Sequence, residues 1–173
     1  MKKQHISHIL LSISLISLLS SCYSSKKEEV IGLNQNIHHD DFEYAVTSFT
    51  TTNLIVSEND TIKARGNFYL IHFRVINKAM RVGHQWDNSI GFLLDENGNR
   101  YENIKDYQVA LNKSLPFGWK EIYNTPHGQT DTTILVYDIP LNLTQIYFKV
   151  RGDILMGDAL DGAKFKRIKV RLF

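Results

Sequence analysis

Residues 66–77 read GNFYLIHFRVIN and carry the clearest pattern in the chain. Apolar and polar side chains alternate there with the two-residue period of a β-strand. One face holds Tyr69, Ile71, Phe73 and Val75, and the other holds Leu70, His72 and Arg74. Aromatic and β-branched side chains fit a pleated, half-buried surface. The segment therefore predicts a strand with one side in a hydrophobic core, ending at Asn77.

The same period recurs on both sides of this segment. Residues 42–47 alternate, residues 132–137 and 144–151 are rich in Val, Ile and Tyr, and residues 165–173 place Ile168, Val170 and Leu172 between basic residues. Short strands separated by turns, without a repeating βα unit, are typical of two packed sheets. We predict an all-β, immunoglobulin-like β-sandwich of about seven to nine strands, with a small barrel as the alternative.

A hairpin and one short helix are predicted in the middle of the chain. The apolar residues 90–94 and the pair 100–101 flank the sequence DENGN at 95–99, whose residues tolerate positive φ. In residues 103–111, apolar side chains recur at helical spacing, at Ile104, Tyr107 and Leu111. This spacing predicts one or two helical turns.

Length and composition limit the class of protein. A chain of 173 residues with 43% hydrophobic and 22% charged residues suits one globular domain, not a disordered or polytopic membrane protein. The single cysteine, Cys22, excludes an intramolecular disulfide. Without Lys2 and Lys3, 18 of the 20 basic residues remain against 18 acidic ones, so a nucleic-acid partner is not predicted.

The N-terminus has the features of a lipoprotein signal peptide. Lys2 and Lys3 precede the apolar residues 9–19, which are too short for a transmembrane helix. Residues 19–22, LSSC, resemble the lipobox at which a signal peptide is cleaved before a lipidated cysteine. We predict a signal peptide over 1–21 and a membrane anchor through lipidated Cys22. An ordinary secretory signal with a coincidental cysteine is the alternative.

Residues 22–39 are predicted to be a flexible tether, and residues 40–173 the sandwich domain. The step KEE at 27–29 resembles the signal that directs some bacterial lipoproteins to the cell surface. Tyr23 replaces the aspartate that retains lipoproteins at the inner membrane. Both features predict an outer-membrane lipoprotein, surface-exposed in one interpretation.

Three segments resemble a known family. Residues 41–47 (DFEYAVT), 66–77 and 92–101 (FLLDENGNRY) are similar to the DUF4352-type domain of bacterial lipoproteins, which has the MPT63-like immunoglobulin-like fold. The resemblance extends over residues 40–173 and implies a sandwich, secretion or lipid anchoring, and no common chemistry. The chain departs from the family pattern between Asp106 and Gln129.

Two acidic segments are candidates for metal binding. Residues 38–41 read HHDD, but neighbours in an extended chain point in opposite directions, which favours a polar lead-in to the first strand. Residues 95–99 resemble a calcium loop, but glycine stands fourth instead of sixth, which favours a hairpin turn. No metal site and no cofactor is predicted.

His84, Trp86 and Asp87 form the remaining candidate for chemistry. In a loop, a His-Asp pair is suited to general-base catalysis and a Trp to stacking on a sugar. The alternative is that Trp86 closes the end of the sandwich. The sequence contains no nucleophile motif, no HExxH and no phosphate-binding glycine loop, so no catalytic residue is predicted.

The C-terminal strand carries a basic face. Its members are Lys164, Lys166, Arg167, Lys169 and Arg171, joined by Lys149 and Arg151. Such a face suits an anionic glycan or polymer. Charges on an edge strand also prevent aggregation, and this second explanation is preferred.

These observations predict a non-catalytic immunoglobulin-like binding domain that contacts a protein or a glycan through its loops and strand edges. A structural accessory subunit of an envelope assembly is the alternative. A hydrolase acting on envelope polymers is the least favoured hypothesis.

Overall fold

The computed structural model describes residues 27–57, 60–115, 120–151 and 165–173. The predicted signal peptide and Cys22 lie outside these ranges. Within them the chain forms eleven strands and one helix. Their bounds are β1 Glu29–Ile31, β2 Ile37–His39, β3 Phe42–Ser57, β4 Asp60–Asn77, β5 His84–Asp87, β6 Gly91–Asp95, β7 Arg100–Glu102, α1 Lys105–Ser114, β8 Ile122–Thr125, β9 Thr130–Ile139, β10 Ile146–Val150 and β11 Ile168–Arg171. None of the described helical residues form a helix long and apolar enough to cross a membrane.

The strands form two packed sheets and one separate pair. The five-stranded sheet has the order β1-β11-β10-β6-β7, the four-stranded sheet has the order β2-β3-β4-β9, and β5 pairs with β8. Every pair is antiparallel except β1 with β11, which is parallel. The predicted all-β sandwich is confirmed. The strand number exceeds the prediction because four strands, β1, β2, β5 and β8, have only three or four residues each and give no clear periodic signal.

The core lies between the two sheets, as the alternation of residues 66–77 predicts. Ile71, Phe73 and Val75 are fully buried there. The Phe73 ring faces Phe148 of the five-stranded sheet at a centroid distance of 5.3 Å. Packing at this point is so close that a Cβ added to Gly91 would lie 2.2 Å from Cζ of Phe148.

The outer face of the four-stranded sheet is covered by α1. Phe68 and Val136 of the sheet pack with Ala110 and Leu111 of the helix in a second hydrophobic cluster. The Phe68 ring meets Tyr107 edge-on at 5.1 Å. The predicted helical turns are confirmed, and the helix continues to Ser114.

The predicted tether over residues 22–39 is wrong in its second half. β1 pairs with β11 and β2 pairs with β3, so the ordered chain enters both sheets before residue 40. Ile37 is fully buried in the core, which explains why β2 forms. Two strands of three residues are too short for alternation to reveal them.

The region around His84 is also a strand where a loop was expected. β5 pairs with β8 over four residues, from His84 opposite Thr125 to Asp87 opposite Ile122. In addition, the predicted strand at 42–47 is the start of a much longer strand, β3, which ends at Ser57. Register shifts between Val46 and Ser48 and between Thr52 and Leu54 interrupt its pattern.

Candidate functional site

The outer edge of β9 is partly occupied by side-chain amides instead of another strand. Gln108 accepts a hydrogen bond from the backbone N–H of Val136 at 3.0 Å and donates one to the carbonyl of Ile134 at 2.7 Å. Asn103 donates to the carbonyl of Val136 at 3.0 Å. These bonds satisfy edge groups that would otherwise be unpaired next to the helix.

Beyond Ile134 the same edge opens into a groove, which we call the edge groove. Its volume is about 510 Å³, within the range of ligand-binding clefts. The groove lies between the end of α1 and β8, over the outer face of the four-stranded sheet. Its lining includes Thr47, His72, Asn112, Tyr123, Asp131 and Thr132.

The backbone of β9 faces this groove. Backbone groups of an antiparallel strand point to alternate sides at successive residues. The backbone carbonyl of Ile134 and the backbone N–H of Val136 point away from β4. Because the register between β4 and β9 is unbroken, the backbone groups of Thr132 and Thr130 point away from β4 as well. In the described part of the chain, no strand pairs with this side of β9. The edge groove therefore offers a short ladder of main-chain donors and acceptors.

Buried contacts hold the groove side chains in place. The Tyr123 ring stacks on Trp86 at 4.1 Å, and its hydroxyl lies 2.7 Å from Oγ1 of Thr133. Nε1 of Trp86 donates to Oγ1 of Thr125, which donates to the carboxylate of Asp131 at 2.8 Å. Burial raises the pKa of Tyr123, so its phenol is neutral. The groove is a fixed surface for contact, without an ionised phenol to act as a base.

His84 does not form the predicted pair with Asp87. The two side chains lie on opposite faces of β5, with His84 buried and Asp87 exposed. Nε2 of His84 lies 2.9 Å from the hydroxyl of Tyr44, and its ring stacks on Phe42 at 4.2 Å. Asp87 accepts hydrogen bonds from Ser89. A histidine held by a phenol and an aromatic ring is a core residue. Trp86 is buried in the hydrophobic core, so its ring is not exposed for stacking on a sugar.

The HHDD segment divides as its extended backbone predicts. His38 is exposed and lies 3.2 Å from the carboxylate of Glu43, whereas His39 is buried with its ring edge-on to Phe165 at 4.8 Å. The two imidazoles thus belong to different environments. Among the described residues, no group of three or more His, Cys, Asp or Glu side chains could hold a metal ion.

The DENGN segment is the predicted hairpin turn between β6 and β7. One oxygen of Asp95 accepts the backbone N–H groups of Asn97 and Asn99, and the other accepts Asn99 Nδ2 and the Tyr101 hydroxyl. Gly98 has a φ of 82°, which favours glycine. Burial raises the pKa of Asp95, but these hydrogen bonds outweigh it and hold the pKa below its ordinary value. The carboxylate is fully used by the turn.

Four members of the predicted basic face lie on the outer side of the five-stranded sheet, whereas Lys166 and Arg167 precede β11. Together with Arg100, which the sequence analysis did not include, these four form what we call the cationic face: Arg100, Lys149, Arg151, Lys169 and Arg171. Two aromatic rings lie under these charges: the guanidinium of Arg100 is 3.7 Å from the centroid of Phe92, and Nζ of Lys169 is 4.4 Å from that of Tyr147. Lys164 lies outside the described residues.

Two carboxylates each serve two cations on this face. Glu28 binds Lys149 at 2.9 Å and Lys169 at 2.7 Å, and these bonds lower the pKa of Glu28. Glu102 pairs with both Arg100 and Arg151. Each group of three therefore keeps one positive charge in excess.

The preferred explanation of these charges, protection of an edge strand, is wrong. β11 lies inside its sheet, between β1 and β10, so it has no free edge to protect. The sequence could not reveal this, because the covering strand β1 has three residues and lies more than 130 positions away in the chain.

Comparison with solved structures shows the fold. A conserved hypothetical protein from Bacillus anthracis is 17% identical, with a TM-score of 0.56 over 73% of this chain and 94% of that one. The YjhA protein of Bacillus subtilis is 12% identical, with a TM-score of 0.57 over 83% and 99%. YcdA of Bacillus subtilis, a candidate lipoprotein, is 10% identical, with a TM-score of 0.50 over 79% of this chain and 37% of that one. At these identities the likeness concerns architecture alone.

The resemblance to the DUF4352-type family stays a prediction. No family model and no curated protein matches the sequence. The secreted protein MPT63 from Mycobacterium tuberculosis aligns with 85% of this chain and 99% of its own, at 10% identity and a TM-score of 0.49. The names of the matched structures state no enzymatic activity. The chain therefore shares its architecture with the matched Bacillus proteins, and the comparisons extend no further than the fold.

Proposed function

We propose that this protein is a lipid-anchored, non-catalytic binding module of the outer membrane that holds an extended polypeptide segment along the open edge of β9. The observation that carries the proposal is the edge groove, where outward-facing backbone groups of Thr130 and Thr132 adjoin a cleft of about 510 Å³. We further propose that the chain is a DUF4352-type domain.

An exposed strand edge recognises main chain by adding a strand. The backbone ladder supplies affinity and neighbouring pockets supply specificity. Here the ladder starts where the amides of Gln108 and Asn103 end. Leu115 and Tyr123 provide apolar surface beside it, and Asp131 and Lys120 provide side chains of opposite charge. A segment with apolar residues next to polar or charged ones would complement this lining.

Membrane attachment is proposed through Cys22. The support is the lipobox-like sequence at 19–22 and the candidate-lipoprotein status of YcdA, which shares the fold. Acyl chains contribute roughly 0.8 kcal/mol per buried CH₂, so several chains anchor a protein stably. Replacing Cys22→Ala should move the protein from the membrane fraction to the soluble fraction. A Cys22→Ala protein that stays in membranes would exclude this anchor.

Two substitutions at Thr132 test the binding mode. Thr132→Pro removes an outward N–H without breaking a bond to β4, and proline is tolerated on such an edge. Thr132→Val keeps the N–H and removes only the hydroxyl. Tagged proteins would be used to isolate cross-linked partners from detergent-solubilised envelopes, with circular dichroism to confirm folding.

The expected result is that Thr132→Pro loses a partner that both wild type and Thr132→Val retain. If a folded Thr132→Pro protein recovers the partner as well as wild type does, the hypothesis of strand addition is wrong. A glycan ligand, which does not use the edge N–H, would then be favoured. Recovery of one complex of constant stoichiometry, unaffected by either substitution, would assign the alternative role of an accessory subunit.

A further inference from the structure

We propose that the cationic face lies against the phospholipid leaflet that holds the anchor and is attracted by the phosphates of the lipid headgroups. This inference rests on the proposed lipidation of Cys22. It assigns a second interaction surface to the molecule, on the sheet opposite to the edge groove.

The excess of positive charge on one face of the five-stranded sheet is the first argument. Lys149 and Lys169 share Glu28, and Arg100 and Arg151 share Glu102, so each group has one unbalanced cation. Arg171 adds a further charge, 6.0 Å from the ring centroid of Tyr147. Since basic and acidic residues are equal in number after residue 21, the rest of the protein carries the compensating negative charge. This face is therefore complementary to an anionic leaflet.

The length of the chain between the anchor and the face is the second argument. Six steps separate Cys22 from Glu28, and an extended chain spans at most about 3.6 Å per residue, or about 20 Å in all. Glu28 itself belongs to the face, because its carboxylate binds Lys149 and Lys169. The anchor therefore attaches at the border of the cationic face and limits its distance from the bilayer.

An exposed apolar residue lies at the same edge of the cationic face as Glu28. Val30 is 43% exposed, lies opposite Lys169 in the pairing of β1 with β11, and shares the outward side with Glu28. An apolar side chain beside lysines is suited to the headgroup region, where both can be accommodated. In this orientation the edge groove, on the other sheet, faces away from the membrane.

The charge dependence can be measured without the lipid anchor. The mature chain starting at residue 22, with Cys22→Ser, would be sedimented at low ionic strength with vesicles of phosphatidylglycerol and phosphatidylethanolamine, or of phosphatidylcholine alone. The test variant is Lys169→Gln with Arg171→Gln, since Lys149 remains to neutralise Glu28. The matched control is Lys63→Gln with Lys113→Gln, which removes the same charge elsewhere.

We expect binding to the anionic vesicles only, decreasing as salt is added. Each removed charge should weaken it about fivefold, so the test variant should bind roughly 25-fold more weakly and the control should resemble the parent. Equal binding to phosphatidylcholine, equal loss in both variants, or no binding to either vesicle would overturn the proposal.

Orientation can be measured on a tethered protein. Cys22 is the single cysteine, so a maleimide-bearing lipid couples the mature chain to a vesicle at the position of the proposed anchor. Lys149 and Lys169 should be acetylated several-fold more slowly on anionic vesicles than on phosphatidylcholine vesicles, whereas Lys63 and Lys113 should react equally on both. Equal rates for all four would exclude docking through this face. Because the coupling is artificial, neither experiment depends on lipidation in the cell.

Discussion

The hydroxyl of Tyr44 and Nε2 of His84 are hydrogen-bonded at 2.9 Å inside the sandwich. Burial raises the pKa of Tyr44, so the phenol keeps its proton at physiological pH. Burial and the neighbouring His39 lower the pKa of His84 to about 4. The pair is thus neutral and structural at physiological pH, which agrees with the sequence analysis, where His84 was weighed as a general base and not chosen.

The pH dependence of stability should report this histidine. Unfolded His84 titrates near 6.5 and folded His84 near 4, so the unfolded chain binds more protons between these values. The contribution of His84 is full above pH 6.5 and is lost as the pH falls towards 4. Urea unfolding at pH 7 and pH 5 should show a lower free energy of unfolding at pH 5. The decrease should be smaller in His84→Gln, and an equal decrease in both proteins would contradict the assignment.

Asp95→Ala should destabilise the protein by about 2–3 kcal/mol, since the buried carboxylate accepts several hydrogen bonds in the β6–β7 turn. Asn97→Ala is the control, because only the backbone of Asn97 contacts Asp95. Calcium should leave the melting temperature of the wild type unchanged, since both carboxylate oxygens are already occupied. A rise in melting temperature with calcium would show that the turn is a binding loop.

Gly91→Ala should cost about 1–3 kcal/mol, because the new methyl group would overlap the ring of Phe148. Phe148→Leu removes that ring, so the double variant should lose less than the sum of the two single variants. A double-mutant cycle by urea unfolding measures the difference, for which about 0.5–3 kcal/mol is expected. Simple additivity would mean that the two positions do not contact each other as the structure has them.

Gln108→Ala should lower stability by about 1–3 kcal/mol, because it leaves the buried backbone N–H of Val136 without its acceptor. It should also promote dimer formation, since the uncovered β9 edge becomes available for pairing. Light scattering after size exclusion would detect the dimer. Lys113→Ala, on the exposed surface of the same helix, should change neither property.

The sandwich could be predicted where strands are long enough to show alternation. Residues 66–77 and the DENGN hairpin are examples, because burial on one face and turn chemistry both act on neighbouring residues. β1 and β2 were not predictable, because each has only three residues and is stabilised by pairing with another strand, which no local pattern shows. Helical spacing at Tyr107 and Leu111 did reveal α1, but not the sheet surface that it covers.

The candidate sites were much less predictable than the fold. The edge groove depends on where β9 stops being covered by Gln108, which no local pattern encodes. The basic residues of the C-terminal strand were identified, but their sharing of Glu28 and Glu102 joins positions up to 141 residues apart. Gln108 can be recognised as the residue that covers the edge of β9 only when the topology of the sheet is known.

The parallel pairing of β1 with β11 has a mechanical consequence for an anchored protein. Only three residue pairs join these strands, so tension on the N-terminus would detach β1 long before the rest of the sandwich. Release of residues 29–36 would lengthen the extended chain between the anchor and the domain by roughly 25 Å, at about 3.3 Å per residue. It would also separate Glu28 from its lysines, leaving them free for other anions. Tension on the anchor would then let the domain move further from the membrane and would increase the net positive charge of the cationic face in the same step.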